Sequence, residues 1–236
     1  MISKIAVDII LPCYNPPFGW EQDVIKNVEL LQKFSNTFSF RIIIVSDGSR
    51  RGYEPETIRA LKQSVPDISI IDYQPNRGKG YALREAVKHG QSQYTIYTDY
   101  DFPYTEESFV SVLRSLTNGA DVVVAVRDKN YQRSLPGFRK FLSISSHFCN
   151  TWILGLKIRD TQGGLKGFNR AGREIFLTTR VNSFLFDTEF IYKAQKQKAN
   201  IQAVPASIRE GIDISDMGLK VLRRELQNFF SILLNR

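Results

Sequence analysis

The stretch Tyr94-Thr95-Ile96-Tyr97-Thr98-Asp99-Tyr100-Asp101 runs from an apolar, strand-favouring segment directly into two carboxylates spaced one residue apart. Alternate residues of an extended chain share one side, so Asp99 and Asp101 can converge on a single oxygen-preferring cation. Mg²⁺ or Mn²⁺ suits such a pair, because these ions accept one or two carboxylates and leave the rest of the shell to water and substrate phosphates. The competing reading is an Asp-rich turn, since Asp also marks the places where strands stop. What the rest of the chain sets beside this stretch decides between them.

Working outward, short β-branched runs at 7–11, 40–45, 68–71, 94–97 and 121–126 alternate with helix-length amphipathic segments at 21–34, 56–64, 80–89 and 106–116. This alternation predicts βαβ units and an α/β fold with a mostly parallel central sheet flanked by helices. Ligands of such sheets bind beyond the carboxyl ends of the strands. There the chain carries Pro12-Cys13-Tyr14-Asn15-Pro16-Pro17, Ser46-Asp47-Gly48-Ser49-Arg50-Arg51, Pro75-Asn76-Arg77-Gly78-Lys79-Gly80 and Asp99-Tyr100-Asp101. Tyr14 can face a ring, and Asp47 can accept a hydrogen from a uracil imide or a ribose hydroxyl. Gly78 and Gly80 permit close backbone approach, while Arg77, Lys79 and a helix N-terminus attract phosphate. Each segment alone reads as a turn. Four of them on successive strand ends describe a nucleotide-diphosphate site with a metal.

A chain of 236 residues can form one sizeable α/β domain, and no linker-like tract or internal repeat divides it. Lys and Arg number 32 against 24 Asp and Glu, a net charge of +8 that favours a polyanionic partner such as a nucleoside diphosphate, a nucleic acid or an anionic lipid. The basic residues are dispersed and form no interleaved aromatic and basic stripe, which argues against nucleic acid. Two cysteines, Cys13 and Cys149, without C-x-x-C spacing or a His cluster, argue against a disulfide framework or zinc site and fit a reducing cytoplasmic compartment. The N-terminus lacks a signal-peptide layout, and no apolar run reaches the ~18 residues of a membrane-spanning helix. The expectation is a protein that is soluble or lies at a membrane surface.

The ordered series Leu11-Pro12-Cys13-Tyr14-Asn15, Val45-Ser46-Asp47-Gly48-Ser49, Asn76-Arg77-Gly78-Lys79-Gly80 and Asp99-Tyr100-Asp101 resembles the inverting family-2 glycosyltransferases with a GT-A fold. The resemblance covers the chain to about residue 197. It implies a nucleotide-sugar donor and a Mg²⁺ or Mn²⁺ ion held at Asp99 and Asp101, with Pro12, Tyr14, Asn15, Asp47, Arg77, Gly78, Lys79 and Tyr100 on the donor side. The segment Asp160-Thr161-Gln162-Gly163-Gly164-Leu165-Lys166-Gly167-Phe168 is similar to one in dolichyl-phosphate glucose synthases, and less closely to its counterpart in the mannose synthases. Phe186-Asp187-Thr188-Glu189-Phe190 resembles the acidic segment those enzymes carry at the head of a helix. Arg127, Arg133 and Arg139 match their arginine-bearing stretch, which contacts donor and acceptor phosphates.

The resemblance implies transfer of a sugar, glucose first, from a UDP-sugar to a polyprenyl phosphate, with Asp101, Arg127, Arg139 and Asp187 carrying the reaction. A phosphate acceptor is already anionic and needs cations more than a base. The alternative is a sugar hydroxyl of a glycan or glycolipid, for which Asp187 is the first candidate base. A non-catalytic nucleotide-sugar-binding protein is a third reading. The chain departs from many relatives in carrying Pro16 where they have an acidic residue, and it lacks the Q-x-x-R-W motif of processive polysaccharide synthases.

Two amphipathic segments complete the expectation. Apolar residues recur at helical spacing through 138–156, including Phe141, Phe148, Trp152 and Leu156, with Arg139 and Lys140 at the start. This helix either lies in a membrane interface or packs under the sheet. The segment 217–236, with Leu219, Leu222, Leu226 and Phe230 on one side and Lys220, Arg223 and Arg224 elsewhere, binds a membrane surface or docks on the 1–216 domain.

Overall fold

A computed structural model describes residues 4–127, 149–158 and 160–209. Strands and helices alternate through the first half: β1 (Ile5–Cys13), α1 (Trp20–Leu31), β2 (Phe38–Asp47), α2 (Pro55–Ser64), β3 (Ile68–Tyr73), α3 (Lys79–His89), β4 (Tyr94–Tyr97), α4 (Glu106–Thr117) and β5 (Val122–Arg127). A π-helical turn (Cys149–Ile153), β6 (Lys166–Phe168), α5 (Arg170–Leu177), α6 (Phe186–Lys196) and β7 (Ile201–Ala206) follow. The seven strands form one sheet in the order β3-β2-β1-β4-β6-β5-β7. Pairing is parallel except at β6, which runs antiparallel to both β4 and β5.

The apolar runs are continuous because both faces of the sheet are covered. Ile9, Leu11, Ile42, Ile44 and Ile96 face α1, α2 and α4, together with Trp20, Val24, Leu61 and Val112. Their neighbours Ile10, Ile43, Val45 and Tyr97 face α3, α5 and α6, together with Leu83, Phe176, Phe186 and Phe190. Asp8 is the exception within β1. Wholly buried, it accepts hydrogen bonds from the Gln91 and Ser92 amides at 2.7 and 2.9 Å and from the Ser92 hydroxyl at 2.7 Å, fixing the turn that enters β4.

Strand order runs from β1 outward to β2 and β3 on one side and to β4 on the other. The chain therefore opens a crevice beyond the carboxyl ends of β1 and β4, where such sheets bind ligands. The strands extend further than the apolar runs suggested, so Pro12 and Cys13 belong to β1 and Asp47 closes β2 rather than lying in turns. The helix expected over 21–34 divides into α1 and a 3₁₀ turn at Gln32–Phe34.

Of the helix expected over 138–156, residues 149–156 fall within the described part. There the π-helical turn stops at Ile153, and Gly155 adopts a φ of 64°. Leu154 and Leu156 turn inward, whereas Trp152 is 76% exposed. Arg133, Arg139, Lys140 and the helix expected over 217–236 lie outside the described residues. Among the described residues, no helix is long and apolar enough to cross a membrane.

Candidate active site

The first two loops are tied to each other. Asn15, in the left-handed region at φ 46°, donates its amide to the Ser49 hydroxyl at 3.0 Å, and its side-chain oxygen accepts from the Arg50 amide at 2.8 Å. Pro12 is buried within β1, while Tyr14 projects from the loop at 54% exposure. Asn15 thus ties the two loops together, and Tyr14 is left exposed to meet a ligand.

Asp47 organises the third loop. Its Oδ1 accepts from the Tyr73 hydroxyl at 2.8 Å and the Arg77 amide at 2.7 Å. Its Oδ2 accepts from the Asn76 side-chain amide and the Gly78 amide, both at 2.8 Å. A carboxylate has about four acceptor positions, so this one is filled by its own chain. In this arrangement Asp47 braces the loop that carries Asn76, Arg77 and Gly78.

The close backbone approach expected at Gly78 and Gly80 is likewise made within the protein. A Cβ on Gly78, at φ 102°, would lie 2.4 Å from the Asn182 carbonyl oxygen, and one on Gly80 would lie 2.5 Å from that of Val181. The Gly80 amide donates to the Asn182 carbonyl at 2.8 Å. Arg84 supports the same 181–182 segment from α3, and Glu189 accepts from the Arg180 and Val181 amides at 2.8 Å. The start of α3 is therefore a rigid mount for Arg77 and Lys79. Arg77 is exposed, with its guanidinium 3.7 Å from the centre of the Tyr81 ring.

Lys79 reaches across to Asp99 and forms an ion pair with its Oδ1. Burial works to lower the Lys79 pKa, but Asp99, with Asp187 and Asp101 behind it, raises it above the ordinary lysine value. Tyr100 turns away from the crevice to meet Trp20 edge-on at 5.5 Å. Asp101 is held through its backbone, whose carbonyl accepts from Arg209. Arg209 also donates to the Asn27 side chain at 2.9 Å and from its amide to Pro103 at 2.9 Å. Burial and the neighbouring Asp99 push the Asp101 carboxyl above the usual carboxylate range.

The Asp101 Oδ1 atom is buried with no hydrogen-bond partner. An orphaned carboxylate oxygen beside a second carboxylate is a costly arrangement that a cation would relieve. Asp99 and Asp101 thus fit a divalent ion. Among the described residues no group of three or more His, Cys, Asp or Glu side chains could hold one, so the remaining ligands would come from substrate and water, as Mg²⁺ and Mn²⁺ commonly accept.

The second half of the chain closes the far wall. Arg127, at the end of β5, donates to both oxygens of Asp160, at 2.9 Å from Nε and 2.7 Å from a terminal nitrogen. Gly163 and Gly164 then pass tightly beneath the site. A Cβ on Gly163 would lie 2.3 Å from the Ala125 carbonyl oxygen, and one on Gly164 would lie 2.9 Å from Asp99 Oδ2. The Gly164 amide donates to the Tyr104 hydroxyl at 2.7 Å.

Phe186 opens α6, so Asp187 and Glu189 stand in its first turn. Asp187 is 5% exposed. Its Oδ1 accepts from the Tyr97 hydroxyl and lies 2.9 Å from the ammonium of Lys166. Lys166 is wholly buried and also donates to the Gly163 carbonyl. Burial raises Asp187 and lowers Lys166, each against the pull of the other. Lys166, Tyr97, Asp160 and Arg209 were not among the residues expected from sequence to build the site. An ionisable residue two positions before Phe168 in a short apolar strand was the available signal for Lys166.

Residues 8–176 match the family model described as glycosyl transferase family 2. The chain is 28% identical over 222 residues to a dolichyl-phosphate beta-glucosyltransferase of Dictyostelium discoideum, spanning 89% of this chain and 68% of that protein. It is 28% identical over 220 residues to the Homo sapiens protein of the same name, spanning 86% and 67%. A mannosyltransferase from Pyrobaculum calidifontis, solved with GDP-Man and Mn²⁺, aligns with a TM-score of 0.68 at 16% identity, covering 100% of this chain and 66% of that one. Glucosyl-3-phosphoglycerate synthase from Mycobacterium tuberculosis, solved with Mn²⁺, UDP-Glc and phosphoglyceric acid, aligns with a TM-score of 0.68 at 13% identity, covering 98% and 79%. A family model spanning most of the sequence and a sheet of GT-A architecture agree: the chain belongs to glycosyl transferase family 2 and is a hexosyltransferase of the GT-A fold.

Proposed function

We propose that the enzyme transfers a hexose, glucose first, from a UDP-linked donor to the phosphate of a polyprenol, with inversion at the anomeric carbon. The observation that carries this reading is the commitment of Asp187. To act as a base toward a sugar hydroxyl, its carboxylate, whose Oδ1 already holds the Lys166 ammonium and the Tyr97 hydroxyl, would take up a proton on Oδ2 and leave the buried ammonium without its countercharge. Breaking a buried ion pair costs about 3–5 kcal/mol, and Asp187 has little solvent to receive it. A phosphate acceptor avoids this cost because it arrives ionised. The relatives named dolichyl-phosphate beta-glucosyltransferase support the same acceptor class and the same sugar.

Tyr14 flanks the base, while Arg77 and Lys79 take charge of the diphosphate from the start of α3. Asp99 and Asp101 would hold Mg²⁺ or Mn²⁺, a source of positive charge for the diphosphate of the leaving group. Arg127, oriented by Asp160, faces the acceptor phosphate and brings it to the donor; Arg139 shares that role. A polyprenyl phosphate resides in a membrane, so the enzyme works in peripheral contact with one, and the exposed Trp152 and Ile153 supply apolar surface for that contact.

The test is a panel of nucleotide sugars assayed with Mn²⁺, with and without a polyprenyl phosphate, following release of nucleoside diphosphate. The expected result is UDP release from UDP-glucose that rises sharply with the lipid phosphate. Release that ignores the lipid but responds to a glycan, and disappears in Asp187→Asn, would overturn the phosphate acceptor in favour of a hydroxyl.

A further inference from the structure

Asp99 and Asp101 differ in what surrounds them. Asp101 Oδ1 is buried and unpartnered, whereas Asp99 carries the ammonium of Lys79 on its Oδ1. A divalent ion that takes both carboxylates must therefore compete with Lys79 for one of them. We propose that Lys79 is a tethered competitor for the cation position at Asp99, released toward the donor diphosphate as a divalent ion takes that carboxylate. This rests on the reading of Asp99 and Asp101 as the metal-holding pair.

The structure sets a long-stemmed, partly solvent-exposed side chain on a fixed backbone at this position. Lys79 is the first residue of α3. The preceding Gly78 amide is held by Asp47 at 2.8 Å and the following Gly80 amide by the Asn182 carbonyl at 2.8 Å, so the helix start cannot follow the ammonium. Its four-carbon stem can swing. The side chains of Lys79 and Asp99 are 23% and 41% exposed, which lets them change partners without stranding a charge in the core. Lys166 provides the contrast: it is wholly buried between Asp187 and the Gly163 carbonyl and has nowhere to go.

Charge count gives the exchange a direction. Two carboxylates and one ammonium leave the pair one negative charge to offer a divalent ion, and losing the lysine would leave two. The diphosphate, in turn, offers the released ammonium a second anionic partner. Metal alone and nucleotide therefore respond to Lys79 with opposite signs. A purely structural lysine would weaken both.

Mn²⁺ binding to the full chain, read by electron paramagnetic resonance without nucleotide, and UDP binding at saturating Mn²⁺, read by calorimetry, test this in wild type, Lys79→Met and Lys79→Gln. Both variants are expected to bind Mn²⁺ alone about tenfold more tightly, the scale of one unit charge at close range in a partly solvated site. They are expected to bind UDP about tenfold more weakly. Unchanged or weaker Mn²⁺ binding in both variants, with wild type still binding Mn²⁺ in the presence of UDP, would overturn the competition and leave the metal site intact. Absence of Mn²⁺ binding in wild type even with UDP would instead remove the metal site, and the competition with it.

Discussion

Replacing Asp47 by Asn tests whether this residue is a brace for the site. The substitution preserves shape and exchanges one carboxylate oxygen for an NH₂ group. In the wild type, Oδ1 serves the Tyr73 hydroxyl and the Arg77 amide, and Oδ2 serves the Asn76 side chain and the Gly78 amide. Whichever way the new amide turns, its NH₂ faces two donors. The Tyr73 hydroxyl can rotate and the Asn76 amide can flip, but a backbone N–H cannot reverse. One backbone amide must therefore lose its acceptor, and the other bonds fall from charge-assisted to neutral. A hydrogen bond to a charged group contributes about 1.5–3 kcal/mol and a neutral one about 1. The expected loss is about 2–4 kcal/mol, toward the lower end because Arg77 is exposed and water can replace part of what is lost. Urea unfolding at constant slope reads that change, and calorimetry with UDP and Mn²⁺ reads its consequence, a roughly tenfold weaker donor as Arg77 and Lys79 lose their fixed mount. A loss under about 1 kcal/mol with unchanged UDP affinity would refute the brace. Intact stability with lost preference for uridine over other bases would instead put Asp47 in contact with the base.

Three further outcomes follow from the same geometry. Lys166→Met leaves the buried Asp187 with the Tyr97 hydroxyl in place of a full countercharge, and should cost about 3–5 kcal/mol in urea unfolding; adding Asp187→Asn should recover part of it, and an additive double mutant would disprove the pairing. Burial raises the Asp160 carboxyl, but its bonds to Arg127 bring it below the ordinary value. Its contribution to stability is then present above the unfolded carboxylate pKa of about 3.9 and lost as pH falls through the depressed folded value. The gap in urea midpoint between wild type and Asp160→Asn should accordingly narrow from pH 6 toward pH 2, and a constant gap would contradict the assignment. Asp101→Ala should abolish Mn²⁺-dependent release of nucleoside diphosphate, and activity retained with a metal requirement would move the ion elsewhere.

The first half of the fold was readable because each of its units is long enough to show its period. Five apolar runs separated by amphipathic helices specify parallel βαβ units, and the polar strand ends then fall together on one edge. What the polar residues do there was less readable. Asp47, Asn15, Gly78 and Gly80 drew attention as ligand contacts, and the fold adds a bracing role that the sequence did not reveal, against Asn76, Ser49, Asn182 and Val181. A carboxylate or glycine at a loop has the same appearance in sequence whether it meets a substrate or another loop, and only the tertiary partner distinguishes the two.

Two lysines flanked by glycine carry this point to its sharpest form. Gly78-Lys79-Gly80 opens a helix at the crevice, and its lysine keeps enough solvent to change partners. Lys166-Gly167-Phe168 is a three-residue strand, too short to reveal a period. Once β6 is placed between β4 and β5, alternation settles its faces. Gly167 lies under α4, where a Cβ would come within 2.8 Å of Val112 and Leu116, so Lys166 must share the side of Phe168, among Tyr97, Phe176 and Phe190. A lysine on that side needs a buried anion, and Asp187 on α6 is the carboxylate that meets it. The strand that reverses the direction of the sheet thereby removes from solvent the acid that a hydroxyl acceptor would require. The proposed acceptor class fits this topology: a substrate that brings its own negative charge suits a site in which Asp187 is already paired with Lys166.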